Sequence, residues 1–255
     1  MFTNSLSRAT GLVAQSVRSN IQASACITER EAIGLLGKFF NMKYLENIVG
    51  QDRSAIQPRK AQCPVSEAGL LAIAAYTSAG LDRMIRETYF TNDGLPGRRN
   101  DIKTLESLIL ETLPKIAPTP VSFAKRNLTL NPMEFKSLYR HGGVVRFERI
   151  TSVTLQPYQV YRGGNVDLTI KPDFSVIDVT SLSRYSAKHA RGEKEALLVP
   201  GSVYEVIDIQ GRLEDSLLNP SPLFAPKHPE VWSVTLRQTK SHETPRFSSV
   251  CENYL

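Results

Sequence analysis

The stretch GEKEALLVPGSVYEVIDI, residues 192–209, contains two runs of residues that are typical of β-strands. The first run is apolar over 196–199, and the second alternates apolar and polar residues over 203–209. Pro200-Gly201 separates the two runs. Because strand-like runs on both sides of a short Pro-Gly break are typical of a β-hairpin, the stretch predicts one.

Two carboxylates, Glu193 and Glu195, stand one residue apart at the start of this stretch. In a strand, residues i and i+2 point to the same face, so both side chains face one side if the strand already begins at 193. Like charges placed so close repel each other and need either water or a cationic partner. The pair therefore indicates either a solvated strand end or a site for a cationic substrate.

The composition is typical of a globular protein with one or two domains, since 41% of the 255 residues are hydrophobic and 22% are charged. A net charge of +6 favours anionic partners, but Lys and Arg are scattered, and we expect no nucleic-acid partner. No apolar run approaches the roughly 20 residues of a membrane-spanning helix, so we expect no stable membrane insertion. The three cysteines and four histidines lack metal-ligand spacing, which predicts no metal site.

Residues 1–28 contain no Asp or Glu and are rich in Ser. This composition predicts a disordered segment with a secretion or targeting role. It fits an organellar transit peptide, and it also resembles the signals of bacterial type III secretion. An ordinary disordered N-terminus is the third interpretation.

Helices are predicted first along the chain. Thr28 and Glu31 have the spacing of a helix capping box, and the polar segment 50–64 suits a linker. Longer helices are predicted over 66–89 and 102–113.

From residue 121 onward the pattern changes to alternation, with a short helix at 132–140. The predicted strands cover 121–126, 144–151, 165–171, 174–179, 195–199, 203–209 and 231–238. The proline-rich segment NPSPLFAPKHPE, within 216–230, is predicted to be a surface loop. Helices followed by strands predict an α+β fold with a mostly antiparallel sheet.

Three short motifs then occur in a suggestive order. VSFAKRNLTL carries Arg126, the strand TSVT that begins at 151 carries Ser152, and Glu193-Lys194-Glu195 follows about forty residues later. The helical segment SEAGLLAIAAYTSAGLDRMIRETY precedes them. The set resembles the mono-ADP-ribosyltransferase family, in the clade with an Arg, a Ser-Thr-Ser strand and a Glu-x-Glu motif, which includes type III secreted effectors and toxins.

The resemblance implies N-terminal helices followed by a split β-sheet core of the ADP-ribosyltransferase type. It divides the chain into a targeting segment at 1–28, a helix and linker at 29–63, and the transferase domain at 64–255. NAD would be the co-substrate. A host protein would be the acceptor, and a secretion chaperone would be a further partner. The protein would be secreted from a bacterium into the host cell cytoplasm.

The same resemblance implies roles for individual residues. Arg126 would bind the phosphate and ribose oxygens of NAD, because a guanidinium presents a planar fork of donors. Ser152, with Thr154 beside it, would position the ribose or the glutamate. Glu195 would hold the nicotinamide ribose and stabilise positive charge in the transition state. Glu193 would engage an acceptor arginine, so the predicted activity is transfer of ADP-ribose from NAD to arginine.

The sequence departs from the family pattern in three places. Lys125 and Asn127 flank Arg126 where the family has Tyr and Gly, and Val153 replaces the middle hydroxyl of Ser-Thr-Ser. Tyr185 is the only candidate for the aromatic residue before Glu-x-Glu. These differences leave open a catalytically degenerate fold that acts as a host-protein-binding module.

Two further stretches resemble the same motifs: Tyr161-Arg162-Gly163 resembles the first, and Thr180-Ser181 the second. Ser181 lies only a dozen residues before Glu193, so Arg126 and Ser152 are preferred. Residues 180–192 are then an acceptor-recognition loop. Its basic residues would select an acidic or phosphate-bearing surface, unless the loop is merely solvated; they are Arg184, Lys188 and Arg191. Tyr158 or Tyr161 would stack on nicotinamide or pack in the core.

Overall fold

A computed structural model describes residues 27–51, 55–60, 64–90, 96–156, 164–173, 176–183, 194–213 and 230–239. Six α-helices occur in these ranges: α1 Glu29–Phe39, α2 Met42–Gln51, α3 Glu67–Ser78, α4 Leu81–Phe90, α5 Pro96–Thr112 and α6 Pro132–Leu138. Short 3₁₀ helices lie at Leu113–Lys115, directly after α5, and at Thr180–Leu182.

The predicted capping box at the start of α1 is present. The Thr28 backbone N–H donates to Glu31 Oε2 at 2.8 Å, and the Glu31 backbone N–H donates to Thr28 Oγ1 at 3.3 Å. These bonds satisfy two backbone donors that a helix start leaves without an intrahelical partner. The Thr28 backbone N–H and the Thr28 hydroxyl both donate to the Glu31 carboxylate, and they lower its pKa because they favour the charged form.

Helices α1 to α5 share one hydrophobic core. Leu36 of α1 and Leu45 of α2 are buried in the same cluster as Leu71 of α3 and Leu105 of α5. The segment between α2 and α3 is tied to the chain after α5, because the Arg59 backbone N–H donates to the Lys115 carbonyl at 2.6 Å. Residues on both sides of position 64 thus pack together, and the division of the chain at that position remains a prediction.

The helix predicted over 66–89 is divided into α3 and α4. Ser66 caps the first helix through a bond from the Gly69 backbone N–H at 3.1 Å. The break lies at Gly80, whose φ of 89° belongs to the left-handed region that glycine enters without steric cost. The apolar period continues through the break, which is why the sequence pattern did not reveal it.

Eight strands form one sheet in the order β2-β7-β8-β4-β1-β3-β6-β5. Their bounds are β1 Ala124–Leu128, β2 Val144–Phe147, β3 Thr151–Thr154, β4 Val166–Lys171, β5 Val176–Asp178, β6 Glu195–Leu198, β7 Ser202–Leu213 and β8 Glu230–Gln238. The pair β4 and β8 is parallel, and the other pairs are antiparallel. The predicted α+β class with a mostly antiparallel sheet is confirmed.

The sheet is divided near its middle. Strand β1 meets β3 at the single paired position of Lys125 and Thr154, whereas β1 meets β4 at five positions. Strands β3, β6 and β5 therefore form a three-stranded part, attached through a weak joint to the five strands on the other side. Leu197 and Ile177 on one face of the smaller part pack in the helical core. Leu198 and Val176 on the opposite face belong to a second core.

The predicted hairpin at 195–209 is wrong in its pairing. Both strands and the Pro200-Gly201 turn exist, but β6 pairs with β3 and β5, whereas β7 pairs with β2 and β8. The strand predicted over 144–151 is likewise divided, into β2 and β3 on different parts of the sheet. The chain passes between the two parts of the sheet from β2 to β3 and again from β6 to β7. These two connections are in contact, because the Gly201 backbone N–H donates to the Phe147 carbonyl at 2.7 Å. Alternation reports which side of a strand is buried and carries no information about its partner.

We expect Gly164→Ala to destabilise the protein by about 1–3 kcal/mol or more. A Cβ atom at this position would lie 2.1 Å from the Leu128 backbone oxygen, and that oxygen belongs to β1. Gly34→Ala in α1 is the matched control, since nothing lies within 4 Å of its added Cβ and alanine favours a helix by about 1 kcal/mol. Urea denaturation followed by circular dichroism measures both changes. Equal urea midpoints for wild type and Gly164→Ala would contradict the close approach of this glycine to the Leu128 backbone.

Candidate active site

The carboxylate of Glu195 is held by two hydroxyl groups. Glu195 is the first residue of β6 and is half-buried. Ser152 Oγ donates to Glu195 Oε1, and Ser183 Oγ donates to Glu195 Oε2 at 2.7 Å. The β3–β6 register places Ser152 opposite Leu197 and Thr154 opposite Glu195, so all four residues share the face that packs on the helices. The orientation of the carboxylate is thus fixed from both of its oxygens.

Arg126 is connected to the same group through Ser152. Its Nη1 donates to the backbone carbonyl of Ser152, so one residue of β3 contacts the guanidinium with its backbone and the carboxylate with its side chain. This contact spans the joint between β1 and β3. Arg126, Ser152 and Glu195 therefore meet where the two parts of the sheet are joined.

The electrostatic surroundings of Arg126 favour an anionic ligand. Burial lowers the pKa of its guanidinium, the tyrosines Tyr76 and Tyr139 raise it, and the nearby charge of Arg86 lowers it. Arginine stays charged at physiological pH despite such shifts. A half-buried cation that also feels a like charge is stabilised by an anionic ligand.

Helix α3 anchors the two chain segments that lead into the site. The Tyr76 hydroxyl donates to the Ile150 carbonyl at 3.0 Å, immediately before β3. Thr77 Oγ1 donates to the Leu182 carbonyl at 2.8 Å, immediately before Ser183. Burial raises the pKa of the Tyr76 phenol well above its ordinary range, so the phenol stays neutral and can donate.

Thr154 and the backbone of Glu195 form further hydrogen bonds that hold their strands at the site. Thr154 is buried, and its Oγ1 accepts from the Gln156 backbone N–H at 3.3 Å. The Glu195 carbonyl accepts from the Val179 backbone N–H at 3.0 Å and from Thr180 Oγ1 at 3.3 Å. Strand β6 is thus held on both edges at the position that carries the carboxylate.

Asn127 stands where the family that the sequence resembles has glycine. Its side chain forms hydrogen bonds with Gly164 and with Asp167 of β4, a strand that pairs with β1. Its Oδ1 accepts from the Gly164 backbone N–H at 2.6 Å, and its Nδ2 donates to Asp167 Oδ1 at 2.7 Å. These contacts fix the chain between β3 and β4 at its C-terminal end. The departure from the family pattern therefore has a structural role beside Arg126.

The structure brings together three of the residues that the sequence singled out, namely Arg126, Ser152 and Glu195, with Thr154 on the same strand face. Glu193 lies outside the described residues, as do Tyr158, Tyr161, Arg162, Tyr185, Arg184, Lys188 and Arg191. Thr180 and Ser181 lie in a 3₁₀ helix, away from a strand position. Sequence analysis missed Ser183, and nothing in its sequence surroundings distinguishes it from the other serines of that segment.

Two other kinds of site are absent from the described part of the chain. No cluster of three or more His, Cys, Asp or Glu side chains there could hold a metal ion. No helix in those ranges is both long enough and apolar enough to cross a membrane.

Taken with the divided sheet, the arrangement of helices and strands defines an ADP-ribosyltransferase-like fold. The chain is similar to the type III effector XopAI from Xanthomonas axonopodis pv. citri, with a TM-score of 0.54, 12% identity and 93% of each chain covered. It is similar to the Vis toxin, an ADP-ribosyltransferase from Vibrio splendidus, with a TM-score of 0.52, 12% identity, and coverage of 78% of this chain and 85% of Vis.

A third similar structure is exoenzyme S from Pseudomonas aeruginosa, in complex with human 14-3-3 protein beta and bound to carba-NAD. Its TM-score is 0.55 at 16% identity, with 88% of this chain and 96% of that chain covered. Scans against protein-family models and curated proteins give no match. At these identities the likeness establishes the fold, and the chemistry depends on the residues at the site.

Proposed function

We propose that the protein transfers ADP-ribose from NAD to an arginine side chain of a host protein and releases nicotinamide. The observation that carries this proposal is the Glu195 carboxylate, fixed by Ser152 and Ser183, with the half-buried Arg126 guanidinium bonded to the carbonyl of the same Ser152. This combination sits at the joint of an ADP-ribosyltransferase-like sheet.

The residues at the site fit NAD as co-substrate. The half-buried Arg126 guanidinium suits the diphosphate of a dinucleotide, and Arg86 lies close enough to lower the pKa of Arg126. Arg86 also bonds to Asp82 within α4 at 3.1 Å, which orients it from its own helix. The similar exoenzyme S structure contains carba-NAD, which supports a dinucleotide in this fold.

The fixed carboxylate suits cleavage of the bond between ribose and nicotinamide. When this C–N bond breaks, its electron pair leaves with nicotinamide, and positive charge develops on the ribose. Glu195 stabilises that charge and accepts a hydrogen bond from a ribose hydroxyl. The acceptor guanidinium gives one proton to the Glu193 carboxylate, which passes it to water, and the deprotonated nitrogen forms the new C–N bond to the ribose.

Glu193 is the residue that we propose for binding the acceptor. A carboxylate forms paired hydrogen bonds with a planar guanidinium, so an arginine acceptor is chemically apt. The structure of Vis in complex with agmatine, which has a TM-score of 0.51 and 11% identity to this chain, supports a guanidine compound as a model acceptor.

Incubation of the purified protein with NAD and agmatine tests the activity directly. We expect nicotinamide release together with ADP-ribosyl-agmatine, detected by mass spectrometry. Nicotinamide release without the agmatine adduct would overturn arginine transfer but leave NAD cleavage in place. The absence of both NAD binding and nicotinamide release would favour the catalytically degenerate binding module.

Glu193→Gln is expected to separate the two half-reactions. The amide removes the charge that would hold the acceptor guanidinium, so transfer to agmatine should fall by about 100-fold, the scale of a lost charge-assisted contact. Hydrolysis of NAD should stay within about threefold of wild type, since Glu195 supplies the charge at the ribose. Equal losses in both reactions would show that Glu193 does not act on the acceptor alone.

We further propose delivery by type III secretion, with residues 1–28 as the signal, because the similar structure of XopAI is that of a type III effector. The host acceptor can be sought with labelled NAD in a eukaryotic lysate, wild type beside Glu195→Gln. A labelled band that depends on Glu195 and is sensitive to hydroxylamine would identify an arginine-linked target. The secretion chaperone and organellar targeting by residues 1–28 stay predictions from the sequence.

A further inference from the structure

The geometry points to Ser183 as a second positioning residue for Glu195, a proposal that rests on the function given above. Ser183 is only 3% exposed, and its hydroxyl donates to the carboxylate oxygen that Ser152 does not contact. One hydroxyl thus comes from β3, and the other comes from the chain that follows β5. Between them they hold the carboxylate from both of its oxygens.

Ser183 is itself held in place through the peptide group that joins it to Leu182. The carbonyl of the preceding residue, Leu182, accepts from Thr77 Oγ1 at 2.8 Å and from Ser78 Oγ at 3.3 Å. The Ser183 backbone N–H donates to the Thr180 carbonyl at 3.2 Å. A hydroxyl on a segment anchored to a buried helix loses little freedom when it bonds, which makes it suited to orienting another side chain.

The position of Ser183 in the chain gives this bond a second consequence. Ser183 is the last described residue before 184–193, the segment that contains the proposed acceptor residue Glu193, and Glu195 follows that segment. The bond between Ser183 and Glu195 therefore links the described residues on either side of 184–193. Thr180 adds a second link, because its Oγ1 donates to the Glu195 carbonyl. The residue that stabilises the ribose is thus bonded directly to the described residues that precede the segment containing Glu193.

Ser183 does not contact the reacting atoms in this assignment, and its action runs through the orientation of Glu195. Loss of the Ser183 hydroxyl should therefore lower kcat for nicotinamide release and leave KM for NAD unchanged, since Arg126 and Ser152 keep their contacts. A role in packing alone would instead lower thermal stability and leave kcat in place.

Three substitutions separate these roles. Ser183→Ala removes the hydroxyl, and Ser183→Cys restores the volume with a weak donor. Ser183→Thr keeps the hydroxyl. We expect Ala and Cys each to lower kcat for NAD hydrolysis by about tenfold with KM within about twofold, the size of one lost bond to a charged group, and Thr to recover most of the loss. Ser107→Ala is the control, because it removes a buried hydroxyl from α5 and should leave kcat unchanged.

A readout that does not need turnover completes the test. With ¹³C-labelled glutamate, the carboxyl resonance of Glu195 is assigned by its loss in Glu195→Gln. We expect it to shift in Ser183→Ala and Ser183→Cys and to return in Ser183→Thr. An unmoved resonance, or a kcat that Cys restores as well as Thr does, would overturn the role of Ser183. A wild-type protein that releases no nicotinamide would overturn the proposed function, and the resonance would still decide whether Ser183 orients Glu195.

Discussion

Glu195→Gln is expected to lower the rate of nicotinamide release from NAD by about 100- to 1000-fold, the loss typical of removing one preorganised electrostatic group from an active site. Glutamine keeps the size of the side chain but has no negative charge to stabilise the ribose as its bond to nicotinamide breaks. Its amide nitrogen is also a donor, so it cannot accept from both Ser152 and Ser183 as the carboxylate does. Initial rates at saturating NAD measure the loss.

A matched control is Glu205→Gln on β7. Glu205 is a half-buried carboxylate on a strand, as Glu195 is, but it forms an ion pair with Arg237 on β8 at 2.9 Å. Its loss should leave nicotinamide release within about twofold of wild type, since exposed ion pairs contribute less than about 1 kcal/mol. NAD binding measured by calorimetry should survive in Glu195→Gln. A wild-type rate in that variant would remove Glu195 from the chemistry.

Much of the helical part of the fold could be predicted because its signals are local. The capping box of Thr28 and Glu31 involves residues three apart, and the apolar period marks the helices that bury one face. Strand positions were also visible, because alternation is a local property. The passages of the chain between the parts of the sheet, from β2 to β3 and from β6 to β7, could not be predicted. The bond between Gly201 and Phe147 joins residues far apart in the chain, and no local pattern reports it.

The residues of the candidate site also fall into those that the sequence could predict and those that it could not. Arg126, Ser152 and Glu195 could be singled out because the resemblance carries their order along the chain, and Glu193 stays a prediction. Ser183 and Tyr76 act through bonds to residues 12 and 74 positions away, and no sequence period links such partners. Asn127 shows the reverse case: the sequence flagged it as a departure, and its bonds to Gly164 and Asp167 give a physical reason for the change.

Arg126→Lys is expected to weaken NAD binding by about 10- to 100-fold, although it preserves the charge. The guanidinium donates to the Ser152 carbonyl through one nitrogen and has further donors for a phosphate in the same plane. A lysine ammonium has one nitrogen on a flexible stem and cannot reach both partners with that geometry. A lost charge-assisted bond costs about 1.5–3 kcal/mol, which corresponds to this range. Calorimetry with NAD measures the change.

The same substitution should also affect catalysis through the backbone. Lysine leaves the Ser152 carbonyl without its guanidinium donor, and the Ser152 hydroxyl orients Glu195, so kcat should fall along with the affinity for NAD. Arg237→Lys is the control, since Arg237 pairs with Glu205 on the exposed side of β8 and should tolerate the change. If Arg126→Lys bound NAD as tightly as wild type, the diphosphate would have to rest on Arg86 instead. Arg86→Lys would then show the larger loss of affinity for NAD. The role of Arg126 would be limited to its bond with Ser152, which joins β3 to β1.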